Sequence, residues 1–456
     1  MIFGSSWLLG ARYPWSQWTL LGMGSLLMIT GAGLYRQRSK SGRIGGQPWW
    51  GWKISAGALL CFVAYVGIQS ANISSTPVIV ENDCRLIQRG HIAWLPSSVD
   101  GEFDGMVHGM IRTENAARYL LVYSAAALGA LGLALGVQSA STLNRIIGIL
   151  LVHGLVSSLI CIAHQISGST KVLWIEGDPL QFLGSPFFFN KNQNAAYQTL
   201  LSAWMLSWSA ASWRNRPWAS LILATAAVGG LIAIRSRAGF VFACVLLAMW
   251  LWQSRNGLYV FLRKNTAAGM ACLLAAAVAL GAVFSYSGGA TTVDRLATKE
   301  SPVSYVIHGD TFRRLLHEVA LEMVADKPWL GWGAAGYFYA YASYEARVPE
   351  MVQNRVNFRY FRLLPYADGD WYQFLVEFGL VGTFLFAAVF LPHLIRWLTV
   401  LASRRTTEIL PMLASLLLLY HGLIDQTFRN SGLLFLFLAT AFLVTKSSLL
   451  KASSTH

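Results

Sequence analysis

The sequence predicts an all-α integral membrane protein, a polytopic helical bundle of 11-12 transmembrane helices with one large, partly helical outer loop. Three observations carry this expectation. Of 456 residues, 55% are hydrophobic and only 12% are charged, whereas a soluble domain carries roughly 25% charged residues. The apolar residues fall in repeated blocks of about 20, each long enough to cross roughly 30 Å of hydrocarbon as a helix. The charges, finally, sort by the side on which each connecting loop would lie. A soluble multidomain enzyme is excluded.

Apolar blocks between charged or Gly/Pro-marked breaks place spans near 18–35, 52–70, 118–137, 145–165, 195–212, 218–234, 238–252, 266–286, 371–391, 409–426 and 431–446. On one side the loops hold 16 basic residues, including Arg36, Arg38, Lys40, Arg43, Arg404 and Arg405, against the single acid Glu408. On the other they hold 19 basic and 20 acidic residues. The positive-inside bias makes the first side cytoplasmic. The two sides carry +15 and −1 and recover the net charge of +14, so the basic balance is a topology signal and no nucleic acid partner is needed. The C-terminus then lies inside and the N-terminus outside. Residues 2–10 are apolar but too short to span; they are expected as a re-entrant or interfacial piece, or as the remnant of a further helix.

Cys61, Cys161, Cys244 and Cys272 lie in apolar stretches and read as small hydrophobes, Cys84 lies alone in a polar loop, and no zinc spacing exists. The start of the chain lacks the pattern of a cleaved secretory signal. Connections on the cytoplasmic side are too short for a nucleotide-binding domain, and there is no Walker-type phosphate loop. No cofactor or metal is expected. The division is a bundle of eight spans over 1–286 with an outer loop at 71–117, a large outer loop over 287–370, and three spans with a tail over 371–456.

Within the large loop, Asp310 to Ala325 reads as an amphipathic helix, with Phe312, Leu315, Leu316, Val319, Leu321 and Met323 alternating with Arg313, Arg314, Glu318 and Glu322. Pro328 stops it, and Gly331, Gly333 and Gly336 form an aromatic-rich turn. That G-x-G-x-x-G follows a helix, not a strand, so it is weak as a phosphate loop.

Polar groups gather at the outer helix ends. Asn190-Lys191-Asn192-Gln193-Asn194 opens the fifth span, Arg235-Ser236-Arg237 joins the sixth to the seventh, and Asp368-Gly369-Asp370 opens the ninth. Arginine at the bilayer centre costs about 2.5–3.5 kcal/mol on insertion scales, so Arg235 and Arg237 belong at the headgroup level or in a wet cavity. Snorkelling to lipid phosphate is the plain alternative.

The order N-K-N-Q-N-A-A-Y at 190–197, S-R-A-G at 236–239, R-x-x-L at 313–316 leading to D-K-P-W-L-G-W-G at 326–333, D-W-Y-Q-F-L-V-E-F-G-L-V-G at 370–382 and H-G-L-I-D-Q-T-F at 421–428 resembles the O-antigen ligase and O-antigen polymerase family. The resemblance implies a glycosyltransferase of the bacterial inner membrane that faces the periplasm. It would move a glycan from undecaprenyl pyrophosphate to an acceptor hydroxyl, with inversion and without metal. Its implied partners are that donor, a glycan or lipid A-core acceptor and membrane lipids. A protein O-oligosaccharyltransferase has the same pattern, and a polysaccharide-precursor or lipid transporter is the rival class; charge concentrated at one face favours the enzyme.

By motif position, Arg237 and Arg313 take the places of the family's arginines, with Arg314 the near alternative, and would meet charge developing on the leaving pyrophosphate. Arg235, Lys191 and Asn192 are candidate substrate contacts, and Asn190, Asn192 and Asn194 are equally candidate helix caps. The family usually carries a His-Asn pair where this chain has Asp368 and Gly369. Asp368 becomes the candidate general base, Asp370 the second, both alternatively caps of the ninth span. His308 is a loop imidazole that could stand in. Glu377 is expected as a buried hydrogen-bonding partner, and His421 with Asp425 as a structural pair on one face of the tenth span.

Overall fold

The computed structural model describes residues 14–40, 50–80, 83–99, 106–107, 110–111, 115–169, 171–174, 176–177, 186–188, 190–286, 311–351, 366–402 and 406–453. Residues 2–10, His308 and the acids Asp294, Glu300 and Asp310 lie outside these, as does the side chain of Cys84.

A helix stands at each predicted span. In chain order these are α1 (Pro14–Lys40), α2 (Trp50–Ala71), α3 (Ala116–Gly136), α4 (Ala140–Ile166), α5 (Lys191–Ser212), α6 (Pro217–Ala233), α7 (Arg237–Lys264) and α8 (Thr266–Tyr286). Two loop helices follow, α9 (Thr311–Asp326) and α10 (Gly336–Glu345), then α11 (Asp370–Ala402), α12 (Thr406–His421) and α13 (Ser431–Ser453). Among the described residues, seven helices are long and apolar enough to cross a membrane: α1, α2, α3, α4, α7, α11 and α13. The protein is a multi-pass, all-α membrane protein. Helices α6, α8 and α12 carry shorter apolar stretches, and α5 is buried along nearly its whole length.

Small residues and neutral polar pairs hold the spans together, as expected where lipid removes the hydrophobic drive between helices. A Cβ on Gly31 of α1 would lie 2.2 Å from the Gly132 carbonyl oxygen of α3, so only glycine permits that crossing. Between α4 and α5, His153 Nε2 bonds Tyr197 Oη at 2.9 Å and Ser157 donates to Gln198 at 2.8 Å.

Within the expected loop at 71–117 the chain departs from helix. The β-branched run Ile73–Val80 forms β1, which pairs antiparallel with β2 (Asp83–Gln88) and parallel with β3 (Ser98–Val99). Helix α9 fits its amphipathic reading: Leu315, Leu316, Val319 and Met323 are buried, although Leu321, expected on that face, is half exposed. It ends at Asp326, two residues before Pro328.

The ninth span is discontinuous. Gly379 has φ 60° and ψ −167°, a conformation that glycine alone adopts readily, and it breaks α11 after Phe378. The turn after α9 fills the break. Trp332 and Gly333 donate their N–H groups to the carbonyls of Val376 and Glu377 at 2.7 and 2.9 Å, while Leu380 and Val381 donate to Pro328 and Trp329 at 2.8 and 3.1 Å. Tyr65 of α2 bonds the Leu330 and Phe378 carbonyls, and Gln69 bonds Glu377 O and the Ala334 N–H. The glycine-rich turn is therefore a backbone clasp, with its Trp332, Gly333 and Ala334 N–H groups already committed; it is not a phosphate cradle.

The tenth span is shorter than expected. Helix α12 stops at His421, and residues 422–430 form a turn in which the Asp425 N–H still donates to the His421 carbonyl at 2.9 Å. The His421 ring bonds Thr427 Oγ1 at 3.0 Å.

Candidate functional site

The helix ends that the sequence assigned to the outer side converge. Asn190 caps α5 by accepting from the Asn192 N–H at 2.8 Å. Ser236 caps α7 by accepting from the Gly239 N–H, and its hydroxyl donates to Asn192 Oδ1 at 2.8 Å. A Cβ on Gly239 would lie 2.9 Å from Ala195 Cβ, so the glycine of S-R-A-G lets α7 start against α5.

From there the contacts reach the loop helix. Asn192 Nδ2 donates to Asp425 Oδ2, the oxygen that Arg313 Nη2 also reaches at 3.2 Å. Arg313 Nε lies 3.7 Å from Asp368 Oδ2, and Gln426 Nε2 donates to Asp368 Oδ1 at 3.2 Å. One guanidinium thus stands between two carboxylates, one delivered by the 422–430 turn and one by the entry to α11. Asp368 has φ 51°, a left-handed conformation that Asp tolerates better than most residues.

Exposure separates the carboxylates. The Asp368 side chain is 35% exposed, that of Asp425 3%, and Asp370 is fully buried. Asp370 Oδ2 accepts from the Thr427 and Phe428 N–H groups and ties the 422–430 turn to α11. The first N–H groups of α11 are served in return by carbonyls of that turn, Asp370 N by Asp425 O at 3.3 Å and Trp371 N by Gly422 O at 3.2 Å. Capping of α11 is thus supplied by the turn.

The two loop arginines part company. Arg313 is mostly buried in the cluster, whereas Arg314 is exposed and pairs with Glu318 at 3.1 Å and Glu350 at 2.9 Å. Arg235, exposed and with φ 58°, meets the end of α4, where Gln165 with its amide oxygen turned toward it accepts from Nε at 3.2 Å and Nη2 at 3.1 Å. Arg237 is half-buried in the first turn of α7, next to Ser236. Lys191 is half-buried at the first residue of α5, and Asn194 is buried with Nδ2 on Cys161 Sγ at 3.7 Å.

Glu377 is fully buried and accepts from Gln373 at 2.8 Å and from Arg429 Nη2 at 3.0 Å. The Arg429 guanidinium also lies 4.4 Å from the Tyr119 ring. The sequence reading named Glu377 and missed Arg429. The signal was present: an acid in an apolar span needs a buried cation, and Arg429 is the basic residue of the turn that precedes the last span. Asp425, read as a partner of His421, is also the carboxylate shared by Arg313 and Asn192. Among the described residues no group of His, Cys, Asp and Glu is arranged to hold a metal ion.

At the opposite end of α9 from Arg313, Lys327 lies 4.0 Å from the Trp332 ring, and burial pushes its ammonium below the usual lysine value. The arrangement brings one guanidinium, a partly exposed carboxylate and the Asn192 and Gln426 amides together where these helix ends meet.

Residues 219–387 match the model of the family described as O-Antigen ligase. The matched segment runs from α6 into α11 and contains Arg235, Arg237, Arg313, Asp368 and Asp370. No curated protein matches the chain. Over that segment the chain is similar to the O-antigen ligase family, and the similarity supports glycan transfer as the general class of its activity.

Proposed function

We propose that this enzyme transfers a glycan from undecaprenyl pyrophosphate to an acceptor hydroxyl at the periplasmic face of the bacterial inner membrane, with inversion at the anomeric carbon. In this reading the acceptor oxygen attacks the anomeric carbon as the bond to pyrophosphate breaks. Arg313 and Arg237 meet the negative charge that develops on the leaving group, since guanidinium geometry suits phosphate oxygens in pairs. Asp368 takes the acceptor proton. The observation that carries the assignment is the contrast in exposure: Asp368 stands beside Arg313 with a third of its side chain open, while Asp370 and Asp425 are enclosed and engaged by the protein.

Asp368→Asn separates chemistry from architecture, because the amide keeps size and still accepts from Gln426 but loses basicity. Transfer from purified lipid-linked donor should fall by roughly 10²–10⁴, the usual share of a general base, with donor binding retained. An Asn variant as active as the parent protein would remove Asp368 as base.

A further inference from the structure

His317 sits one turn beyond Arg313 on α9, on the same face, and is almost fully buried. Its ring lies flat on Tyr372, with centroids 3.9 Å apart and planes inclined by 10°. Its Nε2 edge packs beside Gly369, where an added Cβ would stand 2.8 Å from that nitrogen and 2.6 Å from the Leu423 carbonyl oxygen. Gly369 is therefore wedged between the imidazole edge of α9 and the turn after α12, immediately beside Asp368 with its left-handed backbone.

The wedge has a consequence for the carboxylate. The orientation of Asp368 depends on a two-residue corner whose following residue is fixed: Asp370 N is tied to Asp425 O, and the Gly369 carbonyl accepts from Gln373 N at 3.1 Å. The His317 ring packs against this corner from the α9 side. We infer that His317 is a positioning residue for glycan transfer, which uses its stack on Tyr372 and its Nε2 edge at Gly369 to hold Asp368 between Arg313 and Gln426. This inference rests on the proposed role of Asp368 and extends it to a residue on a different element.

The test compares His317→Leu, which fills the slot without a polar atom, with His317→Gln, whose amide nitrogen reaches about as far as Nε2. Full-length purified protein is assayed for kcat and for donor KM with undecaprenyl-pyrophosphate-linked glycan. The Leu variant should lose at least tenfold in kcat, the Gln variant should stay within about threefold of the parent, and donor KM should move less than about threefold in both. Equal kcat in Leu, Gln and parent proteins would overturn the inference, as would a loss confined to donor KM. If the Leu variant does not fold, as judged by elution and thermal melting, His317→Ala takes its place in the same comparison. Should the parent protein itself not consume the lipid-linked donor, the failure belongs to the proposed function and not to His317.

Discussion

Arg313 and Arg314 are neighbours with the same side chain, and which of them enters the site is decided by how α9 docks. Leu315, Leu316 and Val319 bury the face that turns Arg313 toward Asp425 and leaves Arg314 to pair with Glu318 and Glu350 in solvent. The motif spacing R-x-x-L pointed to Arg313, but pattern alone leaves both arginines open, because adjacent positions on a helix differ by about 100° and the docking angle is not a local property. Arg313→Ala should abolish transfer and Arg313→Lys should recover little, since an ammonium cannot span Asp425 and Asp368 while also presenting paired donors to phosphate. Turnover of the lipid-linked donor by each purified variant decides it, and near-normal rates in the alanine variant would take Arg313 out of the mechanism. Asp425 was less legible still. Its neighbours in space, Asn192 and Arg313, lie 233 and 112 positions away in sequence, so no local pattern could announce them.

At the level of elements, the predicted spans were legible because hydropathy is summed over about 20 residues and tolerates local error. The ends and interruptions were not. Helix α11 reads as one apolar block, yet Gly379 divides it, and the reason lies in the clasp at 328–333 that serves the exposed carbonyls. A Cβ at 379 would sit 2.4 Å from the Trp329 carbonyl oxygen with φ held at 60°. Gly379→Ala should cost about 1–3 kcal/mol or more from backbone strain alone, read as a lower melting temperature in detergent, with transfer lost alongside because Asp370 and Glu377 ride on the displaced half-helix. An unchanged melting temperature would contradict the clasp. The pairing of α9 with the C-terminal end of α10 gives a second expectation. Tyr344 Oη and Arg347 Nη2 both donate to Asp326 Oδ2, and these hydrogen bonds hold the Asp326 carboxyl below its usual range. The folded value lies beneath the unfolded value of about 3.9, so the contribution of this contact is full above roughly pH 4 and is lost as the pH falls through the folded value. Hydrogen exchange in α10 should rise only below that pH, and Asp326→Asn should erase the dependence.

Across the whole molecule, the charge asymmetry predicted which helix ends share a side, and the contacts among Asn192, Ser236, Arg313, Asp368 and Asp425 bring those same ends together. Side of membrane is tested directly. A cysteine placed at the exposed Ser343 of α10, in a background without native cysteines, should react with an impermeant maleimide in cells whose outer membrane alone is opened. Labelling only after the inner membrane is breached would reverse the topology and with it the compartment of the chemistry. The break at Gly379 also imposes an order of biosynthesis. The N–H groups of Trp332 and Gly333 emerge from the ribosome more than forty residues before the carbonyls of Val376 and Glu377 that accept from them. Nascent chains long enough to expose the 327–333 turn, but arrested before α11 has been made, carry that turn with its later partners still unsynthesised. The cluster of Arg313, Asp368 and Asp425 can close only after the ninth and tenth spans have been made, so the clasp and the cluster are both late products of synthesis.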